Sequence, residues 1–208
     1  MAVEYDPLDY DNIGKSVVRA LLGKDPEALS QDLRFDGAGI YALYYTGDFP
    51  LYRPIARPPL QVPIYIGKAI YGGRRKGWVS ALQSGVRQPL AKRLCEHAWS
   101  INQAENLALE DFLFKLLVVK QVWISLAERI LIERFRPVWN AVIDGFGNHA
   151  PGSGRTSMRC PKWDTMHPGR PWAAELRQEY SRDQIAREIK EHLDNQRKVW
   201  EESPPWEL

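Results

Sequence analysis

The side chains of this sequence whose spacing could carry chemistry are two tyrosines with a lysine, an arginine–histidine pair, and one helical glutamate. Tyr41 closes the tripeptide Gly39-Ile40-Tyr41, and Tyr65 opens Tyr65-Ile66-Gly67, with Lys68 next. The surrounding runs, Gly39–Tyr45 and Val62–Gly67, are rich in Ile, Val, Leu and Tyr and bounded by Gly, Pro and Asp, which predicts two strands. Side chains alternate along a strand, so Ile40 and Tyr41 face opposite ways, as do Tyr65 and Ile66. Pairing the strands would bring both phenols onto one polar face with Lys68 close behind. A phenol titrates near pH ~10 and is a poor base at neutral pH unless nearby cations lower it. Arg93 and His97 stand four residues apart, on one face of a helix. Glu128 falls within a helix whose other members are mostly apolar. One tyrosine in a strand is ordinary packing. The near-repeated tripeptide on consecutive strands asks for another explanation.

These groups need elements to hold them. Asp11 is expected to cap a helix over Asn12–Leu22, and Asp25-Pro26 to start a second over Pro26–Leu33. Between the two motif strands, Thr46 to Pro59 contains four prolines and no periodicity, a long loop that is either functional or disordered and carries Arg53 and Arg57. Ala69–Val79 reads as another loop, where glycines flank Arg74, Arg75 and Lys76, a combination suited to a phosphate. A helix over Pro89–Ser100 carries Arg93 and His97, with Leu90, Leu94 and Ala98 packing inward. Phe112–Lys120 reads as a buried strand. Trp123–Phe135 reads as a helix with Ile124, Ala127, Leu131 and Phe135 apolar at helical spacing, ended by Pro137. Glu133 on that helix is expected to face solvent. Gly145–Pro171 is rich in Gly, Pro and Ser and reads as a long arm with Arg155, Arg159 and Arg170. A last helix starts at Ser181, with Gln184 completing a capping box. Its stripe Ile185, Ile189, Leu193 packs either on the chain's own core or on a second subunit.

At 208 residues, 44% hydrophobic and 26% charged, the chain has the composition of a soluble globular protein with one well-buried core. No apolar run approaches the ~20 residues of a membrane span. The first residues have neither the basic nor the apolar region of a signal peptide, and Cys95 and Cys160 have no metal or redox spacing. A cytoplasmic protein is expected. The net charge of +2 hides an asymmetry: Arg53 to Ser100 holds nine Lys or Arg against one acid, Glu96, while Trp172 to Leu208 holds six against nine. A polyanion site on the core and a solvated or interfacial tail follow from that distribution.

The two tripeptides, followed in order by Arg93, Glu128 and Asn140, resemble the GIY-YIG nuclease superfamily over about Gly37 to Asn140. The longer gap between tripeptides, and His97 where many members carry a further tyrosine, are similar to the type II restriction endonucleases of that superfamily that recognise CCGCGG. The resemblance implies an α/β (α+β) fold with a small antiparallel sheet flanked by helices. Around it would lie an N-terminal helical extension (1–36), the nuclease core (37–144), and an arm plus helix (145–208), effectively one domain. It also implies Mg²⁺-dependent hydrolysis of double-stranded DNA by a homodimer, with no membrane partner. The chemistry needs an activated water, charge relief on the phosphoryl oxygens and help for the leaving oxygen. Glu128 would hold one Mg²⁺ per active site and Arg93 would fork onto the phosphate, with Lys68, Arg93 and the metal able to lower the tyrosines. Tyr41, assisted by His97, would orient or deprotonate the water while Tyr65 holds phosphate or water, or the two tyrosines exchange roles. Asn140 would position Glu128 or its loop. DNA contacts are expected from Arg53, Arg57, Arg74, Arg75, Lys76, Arg155, Arg159 and Arg170. A nicking enzyme of repair or mobile-element movement, and a catalytically silent DNA-binding module, are the competing readings.

Overall fold

The computed structural model describes residues 10–58, 60–71, 88–150 and 159–207. Four strands form one antiparallel sheet in the order β1 (Glu27–Ala28), β4 (Phe112–Val118), β2 (Gly39–Tyr45), β3 (Tyr65–Ala69). Every residue of β2 is buried, because the sheet is covered on both faces. On one face Ile40, Ala42, Tyr44 and Ile66 pack against α1 (Tyr10–Leu22) and α3 (Gln121–Phe135) through Val18, Leu21, Ile124, Ala127, Leu131 and Phe135. On the other, Tyr41, Leu43, Tyr45, Phe112 and Phe114 meet α2 (Pro89–Gln103) and the C-terminal part of the chain. A strand enclosed on both sides reads as a continuous apolar run, which is why Gly39–Tyr45 lacks polar alternation. The tyrosine face is accordingly aromatic, and not the polar face expected.

The C-terminal part comprises the short helices α4 (Val138–Ala141), α5 (Lys162–Met166) and α6 (Pro171–Ala174), then the long α7 (Arg182–Glu202). Trp139, Phe146, Trp163 and Met166 share one buried cluster with Leu94 and Phe114. Ile185, Ile189 and Leu193 join that same cluster, so the α7 stripe packs on the chain's own core. Ser181 accepts from the Gln184 backbone N–H at 3.2 Å, but the Gln184 side chain donates to Glu188 in place of closing the box. Helix α3 ends at Arg136 in the left-handed region (φ 42°), and α7 supplies partners for its terminal carbonyls: Gln196 Nε2 donates to Phe135 and Arg136, and His192 Nε2 to Arg136.

Three local expectations differ from the structure, one of them because of a long-range contact. Helix α1 already includes Asp11, which lies in its first turn and not ahead of it. No helix forms over Pro26–Leu33: Glu27 and Ala28 pair with Phe114 and Leu113, and Leu29 N–H donates to Phe112 C=O at 3.0 Å. A helix of so few residues is marginal in water, whereas the free edge of β4 offers a ladder and the core takes the Leu29 side chain. The strand expected to reach Lys120 stops at Val118.

The loop between β2 and β3 is tied down by a buried polar chain. Trp139 Nε1–H donates to Tyr52 Oη (3.0 Å), Tyr52 donates to His167 Nε2 (2.6 Å), and His167 Nδ1–H donates to Asn106 Oδ1 (2.9 Å). Asn106 Nδ2 then donates to Met166 C=O (3.0 Å). Arg53 starts the 3₁₀ turn next to Tyr52 and, like Arg57, is exposed. Among the described residues no helix is long and apolar enough to cross a membrane.

Burial lowers the His167 pKa to about 3, helped by the positive charge of Arg182. The unfolded chain therefore takes up a proton below about pH 6.5 that the folded chain refuses until about pH 3. Stability is unaffected by this group above pH 6.5 and falls by about 1.4 kcal/mol per pH unit as pH drops through that window. Urea unfolding between pH 7 and pH 4.5 is expected to lose one proton's worth of slope in His167→Gln. An unchanged slope would contradict the buried neutral imidazole.

Candidate active site

Tyr41 lies opposite Gly67 of β3 and Leu116 of β4. Its phenol crosses over Gly67, where an added Cβ would stand 2.4 Å from Oη and 2.6 Å from Cζ. Such separations are not found between real atoms, so the glycine of the second tripeptide is required by the tyrosine of the first. Gly39 is required by β4 in the same way, with a Cβ landing 1.9 Å from Leu117 C=O. Beyond Gly67 the Tyr41 Oη meets His97 Nε2 of α2 at 2.6 Å. Tyr41 and His97 are both fully buried, whereas Tyr65 is partly exposed. The Tyr65 ring packs on Tyr41 (6.3 Å between centroids), His97 (5.2 Å) and Phe146 (5.0 Å).

Burial raises the Tyr41 pKa well above that of an ordinary phenol, with Tyr65 adding to the rise and Arg93 opposing it. Tyr65 is raised by burial too, again against Arg93, with the charge of Glu128 pushing further up. His97 is lowered well below the usual imidazole range by burial, and further by the neighbouring Arg93, His149 and Arg170. Tyr41 and His97 therefore meet as two neutral groups sharing one proton, and no standing phenolate is held by cations. The protein's own cations therefore do not lower the tyrosines below an ordinary phenol. Arg93 does act in the expected direction on both, but desolvation outweighs it.

Arg93 is half-buried. Nη1 donates to Glu96 Oε2 (3.0 Å) and meets His149 Nε2 (3.1 Å), while Nη2 donates to Gly147 C=O (3.0 Å). Glu128 comes from α3 on the opposite side of the sheet and pairs with Lys68 Nζ at 2.7 Å. Lys68 also donates to Ser125 Oγ (3.2 Å). Glu133, one and a half turns on, is exposed and pairs with Arg129 at 2.7 Å.

Asn140 does not touch Glu128. Its Oδ1 accepts from Ile66 N–H and its Nδ2 donates to Ile66 C=O, both at 2.8 Å. With Trp139 N–H donating to Ile64 C=O (3.0 Å), residues 139–140 act as a strand surrogate along the outer edge of β3. The amide carries one donor and one acceptor in the spacing of a peptide group, so it holds the Tyr65-Ile66-Gly67 strand in register.

Among the residues expected to touch DNA, Arg53, Arg57 and Arg159 are exposed, and Arg159 pairs with Glu179. Arg170 is a correction. Its side chain is 1% exposed, it pairs with the equally buried Asp164, and it stacks against Trp163 and Trp172. Arg74, Arg75, Lys76 and Arg155, and the glycine-rich loop around 72–77, lie outside the described residues. Glu96, Gly147 and His149 were missed as site residues. The signal available was Glu96's position as the one acid in a basic stretch, one helical turn from Arg93.

Two outcomes follow from this geometry. The His97 imidazole nitrogen shifts should stay flat from pH 8 to pH 5, and a titration centred near 6.5 would show that the ring is not enclosed with Tyr41. Asn140→Ala should cost about 1–3 kcal/mol by orphaning the two Ile66 backbone groups, and a urea midpoint equal to wild type would show that water replaces the amide.

No curated protein matches the chain. A family model described as the Eco29kI GIY-YIG domain matches residues 33–193, well over half of the sequence and including all of the elements that converge on Tyr41. The chain belongs to this restriction-endonuclease family and is a GIY-YIG nuclease.

Proposed function

We propose that the chain is a type II restriction endonuclease that hydrolyses both strands of DNA at a short palindromic GC-rich site, CCGCGG, as a homodimer with Mg²⁺. The observation that carries this is the convergence of Tyr41, Tyr65, His97 and Arg93 at one end of a sheet whose glycines admit the phenols, with Glu128 close enough for its charge to act on both tyrosines.

Arg93 faces both phenols and presents a planar cationic fork, which suits a phosphate at that position. Tyr65, the more exposed phenol, touches phosphate or water at the mouth of the site. Tyr41 orients the attacking water. Because Tyr41 is neutral and its neighbour His97 is a neutral imidazole 2.6 Å away, a proton arriving at Tyr41 Oη can leave in the same motion toward His97 Nε2. A concerted relay avoids the buried phenolate that desolvation disfavours and leaves the proton on His97, where burial opposes it and the negative charge gained by the attacked phosphate offsets it. Lys68 stands against Glu128 and balances its charge until substrate binds.

Among the described residues no three His, Cys, Asp or Glu side chains cluster into a metal cage. Glu128 is a partly exposed carboxylate whose charge reaches both tyrosines, and Mg²⁺ is commonly held by one or two carboxylates with several waters. The donor set fits that ion, with Glu128 as its protein ligand. When bound, the ion would relieve charge on the phosphoryl oxygens and the leaving oxygen. A palindrome is read most simply by a two-fold assembly, and the exposed Arg53, Arg57 and Arg159 are the candidates to contact bases or phosphates.

A duplex library digested with Mg²⁺ should give discrete ends at one palindrome with wild type and none with Glu128→Gln. Tyr41→Phe and His97→Ala should each lower the rate by about 10²–10⁴-fold and alter its pH profile. Random nicks would support a repair-type nicking enzyme, an intact duplex would leave a binding module, and unchanged pH profiles in both variants would remove the relay.

A further inference from the structure

Arg170 uses all five of its N–H groups. Nε and Nη2 donate to the two oxygens of Asp164, while Nη1 donates to Phe146 C=O (3.1 Å) and Asn148 C=O (3.2 Å) and Nη2 to Gly145 C=O (2.9 Å). A buried ion pair of this kind is weak evidence of stabilisation, since apolar replacements often do as well. What this one specifies is a backbone shape. Three carbonyls of the 145–148 turn converge on Arg170, and the fourth, that of Gly147, points the other way and receives Arg93 Nη2 at 3.0 Å. Gly145 permits the turn, with φ 99° and a Cβ that would fall 2.1 Å from Pro161.

The opposite end of the Arg93 guanidinium is held by Glu96 (3.0 Å) and His149 (3.1 Å). Glu96 is the single acid between Arg53 and Ser100. A carboxylate in such a stretch repels a polyanion unless engaged, and here it lies against Arg93, His149 (3.6 Å) and Lys92 (3.9 Å). With Nη1 held by Glu96 and His149 and Nη2 by Gly147, the guanidinium plane is fixed beside the hydroxyls of Tyr41 and Tyr65, where its remaining N–H groups can turn from the phenols to phosphate oxygens.

We infer that the 145–149 turn is a bracket, anchored by the buried Arg170–Asp164 pair, that together with Glu96 sets the orientation of Arg93. Arg170, Glu96 and Gly147 are therefore positioning residues for the nuclease reaction, an inference that rests on the reading of Arg93 as the phosphate ligand. The C-terminal segment thereby reaches Arg93 through the Gly147 carbonyl and the His149 ring.

Gly147→Ala is the direct test. Residue 147 is not among the residues with positive φ, so the backbone accepts alanine, but the new Cβ would stand 2.7 Å from Arg93 Nη2 and displace the guanidinium. Single-turnover cleavage of a plasmid carrying CCGCGG should slow by about 10²-fold with an unchanged melting temperature. Introduced into Arg93→Lys, the same change should have no further effect. Arg170→Lys, which keeps the charge and loses the fork, should show the same non-additivity even if it also lowers stability. A full rate in Gly147→Ala, or an equal loss in both backgrounds, would overturn the bracket. If wild type leaves every duplex uncut, the nuclease target is wrong, and the bracket is judged by the Arg93 Nε–H resonance, assigned by its loss in Arg93→Lys. That resonance should shift or broaden in Gly147→Ala and Arg170→Lys, and an unmoved line would overturn the inference.

Discussion

A phenol on a strand covered from both sides has to find its hydrogen-bond partner inside the protein, and that constraint organises the site. β2 carries three tyrosines, of which two meet the constraint and one does not. Tyr45 accepts from Phe49 N–H at 2.8 Å and fixes the start of the inserted loop. Tyr44 points to the other face, where its hydroxyl has no hydrogen-bond partner among the described residues and Lys115 Nζ lies 5.5 Å from the ring centroid. Tyr41 crosses Gly67 to His97. The Tyr41–His97 contact thus joins a strand, the absence of a side chain on its neighbour, and a helix that must approach at one depth. Leu90, Leu94, Ala98 and Ile101 set that depth by packing α2 onto the sheet.

Charge in the site is paired before substrate arrives. Lys68 balances Glu128, and Glu96 balances Arg93. Each pair is partly exposed, so neither is worth much to stability. Their value lies in orientation, because an arginine whose plane is already fixed loses little freedom when it takes a phosphate. An anionic ligand meets a cation that is placed but not consumed.

The tripeptides were legible because their residue types and order show in the sequence itself, whatever the distance of the partners that require them. Gly39 yields to the β4 backbone, Gly67 to the Tyr41 ring, and the flanking Ile residues to one apolar face. Arg93 and His97 followed from helical spacing. What stayed hidden was set by partners far away in sequence. Asn140 bonds a backbone 74 residues away, and no residue type marks a strand edge in need of closure. Pro26–Leu33 has the local marks of a helix, and an open edge on β4 overrides them. Arg170 was misplaced because a basic residue in a Gly- and Pro-rich segment resembles a DNA-binding arm. Trp163, Asp164 and Trp172, all within seven residues of it, were the available sign that this arginine is enclosed.

The segment that looks like an appendage is therefore a wall of the site. Trp139 donates to Tyr52 in the inserted loop, Tyr52 donates to His167 in the C-terminal segment, and Phe146 stacks on His97 with 4.4 Å between ring centroids. Phe146 also occupies the turn that Arg170 holds. Water is kept from the far side of His97 by that ring, which is why the imidazole is buried and neutral, with Arg93 and Arg170 disfavouring its protonation further. Cutting the chain after Asn140, where the tripeptide-based core ends, would expose His97 and free Arg93 together. The loop and the C-terminal helices do not decorate a self-sufficient nuclease core; they complete the enclosure in which its phenol and imidazole can share a proton.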